Sequence, residues 1–135
     1  MLVAHRGGSK LAPENTMAAF QRAIDWWAAD MLELDVRLTK DGQVVVIHDA
    51  DVARTTDGQG LVSDFTLDEL QALDAGFHFR SPDGDRSFAG TGVVVPALGE
   101  VLAAFPGTRI NVEAKEPQVA RPMVDVIREH DAESR

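Results

Sequence analysis

Met31-Leu32-Glu33-Leu34-Asp35-Val36-Arg37-Leu38 is the stretch that decides the fold. Its residues alternate at a period of two, which reads as a β-strand with Glu33 and Asp35 on one face and Leu32, Leu34 and Val36 on the other. Carboxylates on a buried strand are costly unless each is paired or bound to a cation. This strand therefore predicts both a sheet and a charged site at one end of it.

Three further short apolar runs end in ionisable residues. Leu2 to Ala4 runs into His5-Arg6-Gly7-Gly8, Val44 to Ile47 into His48-Asp49, and Arg109 to Lys115 closes on Glu113-Ala114-Lys115. Parallel α/β folds keep their chemistry at the carboxyl ends of their strands, so four such islands in one chain point to one site. Lys40-Asp41-Gly42 is a turn signal, and no helix fits between the second and third runs. A hairpin with residues 39 and 44 face to face would set Asp35 opposite His48 at about 5 Å.

The intervening segments read as helices and loops. Pro13-Glu14-Asn15-Thr16 opens a helix in which Asn15 or Thr16 can cap, and Met17, Phe20, Ile24 and Trp27 give it one apolar, core-packing face. Asp51 to Ser63 reads as a loop. Thr66-Leu67-Asp68-Glu69 carries a capping box that starts a short helix, and Ser81 to Gly92 is a surface excursion. Pro96 begins a helix stopped by Pro106-Gly107, and Val119 to His130 forms the last one. Strands alternating with helices imply a parallel or mixed α/β sheet. Four strands are about half of what an eight-stranded barrel of this style needs, in roughly 250 residues.

Composition narrows the chemistry. The 135 residues are 44% hydrophobic and 26% charged, as in an ordinary single globular domain, with a formal net charge of −9. That charge disfavours nucleic acid and anionic membrane surfaces as partners. With no cysteine, disulfides, thiolate nucleophiles and cysteine-based zinc sites are excluded. Neither a secretory leader nor a transmembrane segment is legible, so a soluble, cytoplasmic protein is expected.

Glu33, Asp35 and Glu113 offer three oxygen donors suited to a hard divalent ion, Mg²⁺ or Ca²⁺. The structural alternative is ion pairing with Arg37, Arg109 or Lys115. His5 and His48, the histidines at strand ends, could act as general base and general acid across a phosphorus atom, or could be structural. Arg6 can donate bidentately to a phosphate, with Gly7-Gly8 letting backbone amides approach an anion. Lys115 adds a second positive charge, or simply neutralises Glu113. Together these groups make a coherent phosphodiesterase site.

The order and spacing of His5-Arg6-Gly7, Pro13-Glu14-Asn15-Thr16, Glu33-Leu34-Asp35-Val36, Thr39-Lys40-Asp41-Gly42, His48-Asp49, Arg54-Thr55-Thr56 and Val112-Glu113-Ala114-Lys115 resemble the glycerophosphodiester phosphodiesterases over the whole chain. The resemblance implies that residues 1–135 are the N-terminal portion of such a domain, a partial, distorted (β/α)8 TIM-type barrel with about four of its eight strands. It implies metal-dependent hydrolysis of glycerophosphodiesters to sn-glycerol 3-phosphate and an alcohol. His5 and His48 would be the acid–base pair, Glu33, Asp35 and Glu113 the metal ligands, and Arg6 and Lys115 the phosphate contacts. The family tends to have Gly-Ala-Asp where this chain has Ala28-Ala29-Asp30. The rival readings are a catalytically silent fragment and a half-barrel module that associates, with itself or a partner, through open barrel edges.

Overall fold

Every strand of the sheet is organised around the Met31–Leu38 stretch. A computed structural model describes residues 1–135. Its elements are β1 (Val3–His5), α1 (Met17–Asp25), β2 (Met31–Leu38), β3 (Val44–Val46), α2 (Leu67–Gln71), α3 (Leu98–Ala104), β4 (Arg109–Ala114) and α4 (Ala120–Glu129). Single 3₁₀ turns at Val62–Asp64 and Pro117–Val119 complete the list. β2 pairs in parallel with β4 along one edge, and its other edge is shared end to end by β1, parallel, and β3, antiparallel. The sheet is thus mixed: four strands, of which β1, β2 and β4 run parallel. The outer edges of β1 and β4 carry no strand partner.

Alternation along β2 sorts the two faces as the sequence pattern requires. Leu32, Leu34 and Val36 are fully buried and pack with Phe20 of α1, Leu98, Val101 and Leu102 of α3, and Val44 and Val46 of β3. Met123, Val126 and Ile127 of α4 cover the same core from outside. Val45 and Ile47 point the other way, into a second core with Val52, Val62, Leu70 and Val95. The residue 81–92 excursion is mostly exposed, with only Phe88 buried, and Phe88 anchors it edge-to-face on Phe79 with ring centroids 5.4 Å apart. α2 has the expected capping box between Thr66 and Glu69.

Two local expectations are corrected. The β2–β3 loop holds three residues, not four. Thr39 faces Gln43 (Thr39 N–H to Gln43 O, 3.0 Å), and Gly42 takes a left-handed φ of 76°. This is the three-residue hairpin that a glycine at that place favours. It moves the register by one, so Asp35 lies opposite Ile47, whose N–H it accepts at 2.9 Å, rather than opposite His48. Of the two candidate caps on α1, Thr16 accepts the Ala19 N–H, while Asn15 turns away toward β2. Trp27 is not on the helical face: α1 stops at Asp25, and Trp27 is half exposed.

The chain leaves α1 through Ala28, which is held at φ 48°, while the Ala29 N–H closes the helix end on Ala23 O at 3.0 Å. A side chain with a Cβ pays for the left-handed region, and glycine does not. Ala28→Gly is therefore expected to raise stability by about 1 kcal/mol. In the opposite direction, Leu34→Ala, at 0% exposure between sheet and helices, is expected to lower it by about 2–5 kcal/mol. Denaturant midpoints of the two variants against the parent check both signs.

Candidate active site

Pairing register places the charged residues. His5 is level with Glu33 across the β1–β2 ladder, and Asp35 with Glu113 across β2–β4. Paired residues of a parallel ladder point to the same side, so these four side chains share the face opposite the helices, near the carboxyl ends of the strands. The chain then turns sharply after β1, with Arg6 at φ 52° and Gly7 at φ 75°. A Cβ on Gly7 would sit 2.7 Å from Ala19 Cβ, so only glycine lets this loop lie against α1.

One ligand oxygen from each of Glu33, Asp35 and Glu113 lies within 4.8 Å of the others. Asp35 is 1% exposed and receives Asn15 Nδ2 at 2.9 Å, with Arg6 Nε 3.2 Å and Lys115 Nζ 3.7 Å away. Glu33 accepts the Arg6 backbone N–H at 3.0 Å, and its nearest side-chain base is His5 Nε2 at 3.9 Å. Glu113 is exposed and bonded to Lys115 Nζ at 2.9 Å; that hydrogen bond and charge hold its carboxyl below the usual carboxylate range. Arg6 also donates to Glu14 at 3.1 Å.

Three carboxylates thus meet two cations, one of them shared with a fourth acid. Glu33 is the least compensated: buried, with one amide donor and no Lys or Arg ion pair. An all-oxygen donor set with residual negative charge fits a hard divalent cation. Arg6 Nε, buried and close to Asp35 Oδ2, has no hydrogen-bond partner of adequate geometry. Its charge lies against Asp35 without a well-aligned hydrogen bond. Of the ion-pair partners expected from sequence, Lys115 reaches the acids. Arg37 instead binds Glu116 at 3.1 Å and His48 O at 2.8 Å.

His48 is not engaged by Asp35. Its Nδ1 lies 2.7 Å from Asp49 Oδ1. Arg54 clamps that carboxylate with Nε (2.7 Å) and Nη2 (3.0 Å), then reaches Glu14 with Nη1 (2.9 Å) and Nη2 (2.8 Å). The Arg54 hydrogen bond, helped by His48, drives Asp49 far below the ordinary range despite partial burial. Burial pushes Glu14 up, and the bonds and charges of Arg54 and Arg6 more than reverse it. Arg54, held by Glu14 and Asp49, is raised well above its ordinary value. Glu14, Asn15, Asp49 and Arg54 were given no role in the expected site. Their signal lay in the Pro13-Glu14-Asn15-Thr16, His48-Asp49 and Arg54-Thr55-Thr56 motifs, where Glu14 and Asn15 serve the site more than the helix end they precede.

Residues 5–133 match the glycerophosphoryl diester phosphodiesterase family. A glycerophosphodiester phosphodiesterase of Caldanaerobacter subterraneus subsp. tengcongensis is 46% identical across 100% of this chain, which covers 55% of that protein. The crystal structure of a glycerophosphodiester phosphodiesterase from Agrobacterium tumefaciens superposes with a TM-score of 0.85 at 37% identity, over 97% of this chain and 53% of that one. An Oleispira antarctica phosphodiesterase, solved in complex with the product sn-glycerol-3-phosphate, superposes at 0.79 and 34% identity, over 96% and 52%. The chain spans about half the length of these relatives. No helix is long and apolar enough to cross a membrane. A match that runs from His5 through the carboxylate face and both rims of the site to residue 133 shows that the chain belongs to the glycerophosphoryl diester phosphodiesterase family.

Proposed function

We propose that residues 1–135 form the N-terminal portion of a phosphodiesterase domain that hydrolyses glycerophosphodiesters to sn-glycerol 3-phosphate and an alcohol. Its sheet would be part of a distorted (β/α)8 barrel, with β1, β2 and β4 as neighbouring barrel strands and β3 in an excursion between them. The observation that carries the reading is the convergence of Glu33, Asp35 and Glu113 within 4.8 Å beside Arg6 and Lys115. The product found in the Oleispira antarctica relative supports the substrate class.

Glu33, Asp35 and Glu113 would hold the divalent cation, Mg²⁺ or Ca²⁺. Bound there, it would act as a Lewis acid that offsets charge on the phosphoryl oxygens. Arg6, whose guanidinium lies between Asp35 and Glu14, would contact a phosphoryl oxygen, and Lys115 would supply a second positive charge to the same group. His5 and His48 would move the protons, one removing a proton from the nucleophile and the other delivering one to the leaving alcohol oxygen. Asp49 occupies His48 Nδ1, so Nε2 is the nitrogen left for transfer. Arg54 keeps Asp49 ionised and aimed, which makes it a positioning residue for His48.

Release of glycerol 3-phosphate from glycerophosphodiesters, glycerophosphocholine and glycerophosphoinositol both being assayed, should require added Mg²⁺ or Ca²⁺ and stop on chelation. His5→Ala and His48→Ala should each lower kcat by about 10²- to 10⁴-fold. A folded chain that binds the cation, read by titration calorimetry, yet releases no product would overturn the proposal.

Acid titration tests the His48 support independently of turnover. Asp49 has a folded value below its unfolded one, near 3.9. It therefore contributes stability that is fully present above about pH 4 and lost as the pH falls from there toward the folded value. Asp49→Asn should be less stable than the parent at pH 7, and the gap should narrow below about pH 4. A gap in denaturant midpoint that stays constant down to pH 2.5 would contradict this.

A further inference from the structure

A cleft of about 400 Å³ lies between the β1–α1 loop and the segment that follows β3. Lys10 and Glu14 line one wall, and Arg54, His78, Phe79 and Arg80 the other. It adjoins the His48 rim, because Glu14, Thr55 and Ala75 also line the small pocket against His48. Glu14 and Arg54 neutralise each other through their paired hydrogen bonds, and Asp49 takes the rest of Arg54. Lys10 and Arg80 are exposed and engaged in no ion pair, and the loop acids Asp83 and Asp85 do not line the cleft. In a chain of net charge −9, this cleft therefore carries two uncompensated positive charges.

We propose that this cleft receives the alcohol half of the diester and selects alcohols that carry a phosphate monoester. The inference rests on the hydrolytic reading above, which places the glycerol phosphate half at the carboxylates and leaves the second ester arm to run past His48. A phosphate monoester bears nearly two negative charges at neutral pH, matching the two free cations. An ammonium head group such as choline meets repulsion from Lys10 and Arg80. It also finds no open aromatic box, since Phe79 is packed edge-to-face on Phe88. The volume suits a polyol phosphate.

Binding of the alcohol alone reads the cleft without turnover, so its failure and failure of the hydrolytic reading are separate results. The full chain is titrated calorimetrically at low salt with myo-inositol 4-phosphate, myo-inositol and inorganic phosphate. Inositol 4-phosphate should bind about tenfold or more tighter than inositol, from two exposed charge-assisted contacts. Lys10→Ala combined with Arg80→Ala should erase that preference, while Arg80→Lys, which keeps the charge, should retain most of it. Neither side chain makes a hydrogen bond or ion pair in the fold, so the variants stay folded. Equal or undetectable binding of the two alcohols, or an unchanged double variant, would overturn the proposal. Inorganic phosphate binding as tightly as inositol 4-phosphate would reduce the cleft to a free-anion site and overturn it as well.

Discussion

A carboxylate sunk in the middle of the sheet is the constraint from which the rest of the site follows. Asp35 is 1% exposed on the central strand, which is paired along both edges. An ionised group there is tolerable only if donors are brought to it. They come from three directions: Asn15 from the β1–α1 loop, Arg6 from the turn after β1, and Lys115 from the end of β4. Asn15 and Arg6 both adopt left-handed backbone conformations to get there, at φ 57° and 52°. Local strain of this kind persists only where the surroundings over-determine it. The loops around the site are shaped by the charge they serve.

The same logic extends outward through Glu14. Arg6 and Arg54 both bond it, and Arg54 goes on to Asp49 and so to His48. This chain of alternating charges ties the β1–α1 loop to the segment beyond β3, which is otherwise joined to the sheet by the second core under Val45 and Ile47. Because Arg54 is part-exposed, each pair taken alone contributes little to stability. Their worth is geometric: the planar guanidinium holds two carboxylates in fixed relation, which a lysine could not do.

How much of this was legible depended on whether a pattern was local. β2 was read to the residue because its alternation is a property of eight consecutive side chains. The carboxylate set followed, since the strand period alone puts Glu33 and Asp35 on one face, and a second strand of the same pattern supplies Glu113. The meeting of His48 with Asp35 was misread because register is fixed by the loop. Gly42 in a left-handed conformation makes a three-residue connection, and one residue of slip changes every cross-strand neighbour. Trp27 was misread because the helical period was carried past the point where Ala28 reverses the chain. The Glu14–Arg54 contact, forty residues apart in sequence, has no local signature at all.

The carboxylates are not equally prepared for a cation. Asp35 is fixed by the Asn15 hydrogen bond and two nearby cations, and Glu33 by burial and a backbone N–H, both on a strand paired on each side. Glu113 stands on β4, whose outer edge is unpaired, and its side chain is 54% exposed with Lys115 as its only partner. Ordering an exposed side chain opposes binding by about 0.5–1.5 kcal/mol. Lys115 already holds Oε1 of Glu113, so a cation would compete with that bond or take the other oxygen. Anything that covers the outer edge of β4 would restrict Glu113 and strengthen the site without touching a ligand. A cation proposed for this face would therefore depend less on the buried pair than on how firmly its exposed third member is held.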